Sequence, residues 1–197
     1  MEKEQDKVKD FFDQRAEVWD SKQNDQTFAT IKLILDRAEV QSTDTLLDVG
    51  CGTGVLIPFF QKKGVRQIFA VDFSREMVRL CKEKFPTCRV IEADYEKPLF
   101  KPETFSKIFV FNCFPHFRHP YDIFERSFSY LKTGGLFVIA HSMSREDINI
   151  HHKLAGQVVE NDILMPDLRF QDYFKRAGFK DVIVENSHYF YASGAKY

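Results

Sequence analysis

The stretch Leu46-Leu47-Asp48-Val49-Gly50-Cys51-Gly52-Thr53-Gly54 runs off a short apolar strand, Thr45–Val49, into a helix expected over Val55–Lys63. Glycines at such a junction remove side chains, so the backbone can turn sharply and press against a ligand. The spacing is G-x-G-x-G, whereas a dinucleotide fingerprint needs its third glycine at the position Val55 fills with a branched side chain. The G-K-[ST] of a phosphate loop is missing too. The ligand such a loop suits is an adenosine without a pyrophosphate.

Outward from this loop, short apolar runs alternate with amphipathic segments, the pattern of a parallel sheet with helices on both faces. Further strands are expected at Gln67–Val71, Arg89–Glu92, Phe105–Asn112 and Leu136–His141. Phe105–Asn112 is dominated by the apolar run Ile108–Phe111, as expected of a central strand buried on both faces. Helices are expected over Lys7–Trp19, Thr27–Ala38, Tyr121–Leu131 and Leu168–Ala177, the last closed by Gly178 as a left-handed cap. Another starts at Ser74 as N-cap and stops near Phe85, before Pro86. Gly134-Gly135 marks a turn, and Asp181–Glu185 with Tyr189–Ala192 predicts a closing antiparallel hairpin. The sum is one α/β domain over residues 1–197, a doubly wound, mostly parallel seven-stranded sheet. Residues 1–40 form its helical cap. Ser142–Pro166 fits the alternation least, with a capping-box variant at Ser144-Arg-Glu-Asp147 and a short helix over Ile148–Ala155. It follows a strand's C-terminal end, where open α/β sheets bind ligands, so a lid or substrate insert is expected there.

Composition narrows the function. A chain of 197 residues buries roughly 70% of its unfolded surface and needs no disulfide or metal staple. Lys and Arg total 28 against 29 Asp and Glu, a balance that argues against nucleic acid or an acidic membrane surface as partner. Twenty-one Phe against one Trp predict a bulky apolar interior reaching into a ligand cavity. The first residues lack the apolar core of a secretory signal, and the longest apolar runs are too short to cross a bilayer. Cys51, Cys81, Cys88 and Cys113 make no C-x-x-C pair and no zinc spacing, so reduced thiols, no metal and a cytoplasmic location are expected.

Two more acids extend the loop's signal. Asp72 ends the second strand, where a carboxylate can accept both hydroxyls of a ribose. Asp94 follows the third strand in Glu92-Ala93-Asp94-Tyr95, placed to accept from an adenine amino group. With Leu131-Lys-Thr-Gly-Gly-Leu-Phe-Val138, these features resemble the class I S-adenosylmethionine-dependent methyltransferases, which implies a Rossmann-like fold. Phe11-Phe-Asp-x-Arg-Ala-x-x-Trp-Asp20 and Asn112-Cys-Phe-Pro-His-Phe-Arg-His-Pro120 resemble the branch that includes ubiquinone and menaquinone C-methyltransferases. Two departures stand out: Pro115 replaces the first His of that branch's pair, and His119 replaces its Asp before the proline.

The resemblance implies a role for each residue. Gly50, Gly52 and Gly54 would line the methionine moiety of S-adenosylmethionine, with Asp48 steadying the loop. Asp72 would take the ribose, Phe73 and Met77 would sandwich the adenine, and Asp94 beside Tyr95 would bind its amino group. Asn112 would face the sulfonium, Arg15 would clamp the methionine carboxylate, and Trp19 would close over the cofactor. His116 and His141 are the candidate bases, with Asp147 and His151 at i, i+4 spacing as a further acid–base pair. Nucleic-acid amine methyltransferases use [DNS]-P-P-[YF], absent here, so a small-molecule acceptor is expected. A cofactor-holding partner subunit and another adenosyl-sulfonium-dependent transferase are the alternatives.

Overall fold

The computed structural model describes residues 2–155 and 158–197. Its frame is a seven-stranded sheet: β1 (Thr45–Val49), β2 (Gln67–Asp72), β3 (Arg89–Glu92), β4 (Phe105–Phe111), β5 (Leu131–His141), β6 (Lys180–Asn186) and β7 (Phe190–Ala195). The order is β3-β2-β1-β4-β5-β7-β6, parallel except where β7 runs against both β5 and β6. β1 lies inside the sheet, between β2 and β4, with every residue buried, which is why Leu46, Leu47 and Val49 are all apolar. The strand order reverses beside it, so loops leave the carboxyl ends of β1 and β4 in opposite directions and open a crevice.

Helices cover both faces. On one, α2 (Asp25–Arg37), α3 (Ile57–Lys62) and α4 (Arg75–Lys84) supply Ile31, Ile34, Phe60 and Val78 to a core shared with Leu46 and Phe109. On the other, α5 (Pro120–Tyr130) and α7 (Asp167–Ala177) bring Phe124, Phe170 and Phe174 against Phe105, Phe137 and Phe190. Most of the phenylalanine load therefore fills this second layer rather than a ligand cavity. Its rings meet edge to face, as at Phe124–Phe174, with centroids 4.8 Å apart. Gly178 closes α7 at φ 102°, as its place after Ala177 predicts.

Three elements differ from the sequence expectation. The helix expected over Lys7–Trp19 is broken: α1 spans Glu2–Asp13, and Ala16–Lys22 is a 3₁₀ segment. The break frees Asp13 to accept from Ser74 Oγ (2.5 Å) and the Glu76 amide (3.1 Å), sharing the N-cap of α4 with Ser74. Tertiary bonds outweigh continued helix here. Gly134-Gly135 makes a bulge inside β5 rather than a turn before it, since Leu131 already pairs with Phe105 and the register then slips. Finally, α6 (Arg145–Ala155) starts directly after Ser144, which donates to Asp147 (2.6 Å) and accepts from its amide (3.1 Å). That exchange commits Asp147 to the helix start, not to His151. Residues 156–157 of the expected lid lie outside the described residues.

The expected cap also divides. α1 and the 3₁₀ segment pack Phe12 and Ala16 against Met77, over the carboxyl edge of the sheet, whereas α2 belongs to the sheet's own helical layer.

Candidate active site

A cavity of about 370 Å³ opens in the crevice at the carboxyl ends of β1, β2, β3 and β4. Gly50 and Gly52 line it from the glycine loop, Asp72, Phe73 and Met77 from the end of β2 and from α4, and Asp94, Tyr95 and Asn112 from beyond the ends of β3 and β4. Trp19 and His116 line it too. The structure thus brings ten of the sequence-selected residues to one hollow of small-ligand size.

The glycines differ in what they avoid. Gly50 turns at φ 66°, hydrogen-bonding Val71 O from its amide (2.8 Å), and a Cβ there would stand 2.5 Å from Cys113 Sγ. Gly52, at φ 53°, faces the cavity: a Cβ would lie 3.5 Å from Trp19 Nε1 and 3.9 Å from Met77 Sδ, in the space a ligand would use. Gly54 turns away, toward Phe85 and Cys81, and serves the packing of loop on α4. It does not line the cavity.

Asp72 holds the loop and faces the ligand space at once. Its Oδ2 accepts from the Gly52 amide (2.8 Å) and its Oδ1 from the Ser74 amide (2.9 Å). Burial pushes its carboxyl up to about 6 against those two bonds. Asp48 lies deeper, 1% exposed, and Oδ2 finds no partner among the described residues. Burial, reinforced by the charge of Asp72, pushes its carboxyl up to about 8. Asp48 underlies the site without reaching the cavity.

Other side chains are committed elsewhere. Asp94 shapes its own turn by accepting from the Glu96 amide (2.9 Å). The Tyr95 hydroxyl pairs with Ser127 (3.0 Å) in the core, so this residue offers the cavity its ring and backbone rather than a free hydroxyl. The Asn112 amide is tied to Ser142, accepting from its backbone N–H (2.8 Å) and donating to its hydroxyl (3.1 Å). Arg15 lies over the Phe11 ring at 3.6 Å and donates to Phe11 O (3.1 Å), outside the cavity lining. A carboxylate clamp is not what its position offers.

The two candidate bases also separate. His116 lines the cavity on a 3₁₀ turn after β4, with Nδ1 2.6 Å from Asp162 Oδ2. His141, at the end of β5, is 3% exposed, stays behind the cavity, and its Nε2 has no partner among the described residues. Burial, with His116 and His152 nearby, pushes it down to about 3, so it is neutral at any physiological pH.

Sequence reasoning missed Phe12, Cys113 and Asp162 among the lining residues. Phe12 was legible as part of a helix stripe. Cys113 sits inside the Asn112–Pro120 stretch but was read only as a reduced thiol, and Asp162 carried no signal, because what brings it to the cavity is the packing of the segment after α6. Among the described residues no group of His, Cys, Asp and Glu has the arrangement of a metal site, and no helix is long and apolar enough to cross a membrane.

The fold and the loop can be set beside known proteins. Residues 46–135 match the family model of the methyltransferase domain. A chain from the complex between the Haloferax volcanii Trm112 methyltransferase activator and a methyltransferase superposes with a TM-score of 0.79 at 19% identity, covering 93% of this chain and 96% of that one. Haemonchus contortus phosphoethanolamine N-methyltransferase 2, in complex with phosphomonomethylethanolamine and S-adenosylhomocysteine, superposes at 0.72 with 16% identity, over 85% of this chain and 52% of that one. In sequence, phosphoethanolamine N-methyltransferase 1 of Triticum aestivum is 24% identical over 164 residues, 81% of this chain and 33% of the relative. The chain spans between a third and about half of the curated relatives it matches over most of these lengths. The chain shares its fold with these methyltransferase structures, and the stretch that matches the methyltransferase-domain model, residues 46–135, carries the glycine loop and β1 to β4.

Proposed function

We propose that this protein transfers a methyl group from S-adenosylmethionine to a small-molecule acceptor. The observation that carries the reading is Asp72: a buried carboxylate, fixed by the Gly52 and Ser74 amides, at the edge of a hollow lined by Phe73, Met77 and the side-chain-free Gly52. A diol at Asp72, a flat base against Met77 and Phe73, and an amino-acid tail over Gly52 suit these groups. The bound sulfonium supplies an activated methyl carbon. The chain's own residues bind, orient and exclude water. Trp19 and Phe12 close one side, and holding donor and acceptor at attack distance can supply roughly 7–11 kcal/mol of the barrier.

A net charge of −1 and a cavity rather than a groove favour a small acceptor over nucleic acid. The quinone C-methyltransferase likeness rests on two short stretches, while the relatives matched over most of this chain include phosphoethanolamine N-methyltransferases. A second reading, in which a partner completes the enzyme, is supported by the structural neighbour taken from a complex with an activator. Calorimetric titration with S-adenosylmethionine, S-adenosylhomocysteine and NAD tests the cofactor. Binding of both sulfur nucleosides without NAD is expected; binding of NAD alone overturns the proposal.

A further inference from the structure

Beside the cavity three imidazoles and one carboxylate gather from four places in the chain. His116 comes from the turn after β4, His152 from α6, His141 from the end of β5, and Asp162 from the segment joining α6 to α7. The rings of His116 and His152 lie 5.0 Å apart, and Phe12 packs edge-on to His116 at 5.1 Å. Asp162 is engaged twice. Its carboxylate meets His116 Nδ1 at 2.6 Å, and its carbonyl oxygen accepts from His152 Nδ1 at 2.5 Å.

These contacts fix more than a position. A carboxylate facing Nδ1 requires the proton on Nδ1, so a neutral His116 must carry its lone pair on Nε2. Among the described residues Nε2 makes no hydrogen bond, and both His116 and Asp162 line the cavity. His141 cannot take this part: it is buried outside the cavity lining, and burial makes it a weak base by pushing its pKa down to about 3.

We infer that Asp162 is a positioning residue, which holds His116 with Nε2 as the base for an acceptor whose nucleophilic oxygen or nitrogen carries a proton. This rests on the methyltransferase reading and adds the acceptor's chemical class to it. In the step, the acceptor heteroatom forms a bond to the methyl carbon while the carbon–sulfur bond breaks, its electron pair staying on sulfur. The acceptor's proton passes to Nε2, and the imidazolium faces the Asp162 carboxylate until water takes the proton away. Acceptors with no proton to lose, such as thioethers and tertiary amines, gain nothing from the pair.

The first test needs no acceptor. Long-range proton–nitrogen NMR of the histidine rings, with S-adenosylhomocysteine present, is expected to show His116 protonated on Nδ1, and Asp162→Asn should move the proton wholly or partly to Nε2. A proton on Nε2 in the wild type, or no change in the variant, overturns the inference. The second test measures S-adenosylhomocysteine release with phenols and ethanolamine in one arm, and dimethyl sulfide and trimethylamine in the other. Asp162→Asn should lower kcat in the protic arm by about 10²-fold, at the lower end for losing a general base, and leave cofactor affinity unchanged. Asp162→Glu should recover part of it. Turnover confined to the aprotic arm, or undiminished in Asp162→Asn, overturns the inference. If nothing in either arm turns over, the tautomer decides alone. Failure of S-adenosylmethionine to bind at all would instead sink the methyltransferase reading, which the cofactor titration registers separately.

Discussion

Asp72 divides its two oxygens between the Gly52 and Ser74 amides, so one side chain sets both the glycine loop and the start of α4. Removing it strips partners from buried N–H groups and from any ribose bound there. Asp72→Ala should weaken S-adenosylhomocysteine binding by about 1–3 kcal/mol, read by calorimetry; unchanged affinity would remove the ribose assignment. Gly50 gives a second residue-scale test. With φ at 66° and Cys113 Sγ 2.5 Å from a would-be Cβ, Gly50→Ala should cost about 1–3 kcal/mol in urea unfolding. A smaller loss would mean that Cys113 yields freely. The two buried acids set a pH dependence whose sign follows from linkage. Both carboxyls are raised in the folded protein, to about 6 for Asp72 and about 8 for Asp48, so the folded state holds protons that the unfolded chain has released. Their stabilisation is complete below the ordinary carboxylate range and is lost as pH rises toward 8. Urea midpoints of the free protein should fall across that window, and Asp48→Asn should flatten the fall; an unaltered slope would place the effect elsewhere.

At the scale of elements, the cap is fastened by carboxylates. Asp13 caps α4, Asp20 accepts from Thr53 in the glycine loop (2.5 Å) and from Lys84 on α4 (2.6 Å), and Glu17 pairs with Arg79 (2.5 Å). The exposed ion pairs contribute little on their own, whereas Asp13 satisfies the Glu76 amide in the first turn of α4 and the Ser74 hydroxyl. Asp13→Ala should therefore lower stability by about 1 kcal/mol, while Glu17→Ala should cost less than half of that in the same unfolding experiment. Equal losses would show that the cap is held by charge rather than by its hydrogen bonds to α4.

For the whole molecule, the sheet places its ligand crevice beside β1, and the cap and the segment after α6 both reach it, with Trp19 and Asp162 on the lining. Trp19 is the only tryptophan, so its fluorescence reports on this closure without a label. Titration with S-adenosylhomocysteine should change its intensity or emission maximum with the same Kd as calorimetry. Binding without a fluorescence change would put the ligand away from the cap.

Local pattern in the sequence was enough to place the strands, the helix starting at Ser74, the left-handed cap at Gly178 and the acids near the ends of β1 and β2. Each is written in local pattern, a run of apolar residues or a glycine where the chain must turn. It also marked His116, by a resemblance over a few residues. Only the tertiary structure decided the break after Asp13, the bulge at Gly134-Gly135, the withdrawal of Arg15 and His141 from the cavity, and the meeting of His116 with Asp162. These depend on partners dozens of residues away: Asp13 leaves its helix for Ser74, and Asp162 reaches His116 across 46 positions of chain. Local periodicity shows which face of an element is apolar, but a polar side chain's partner is settled by how the elements pack, because a buried hydrogen bond is formed with whatever the fold brings within reach.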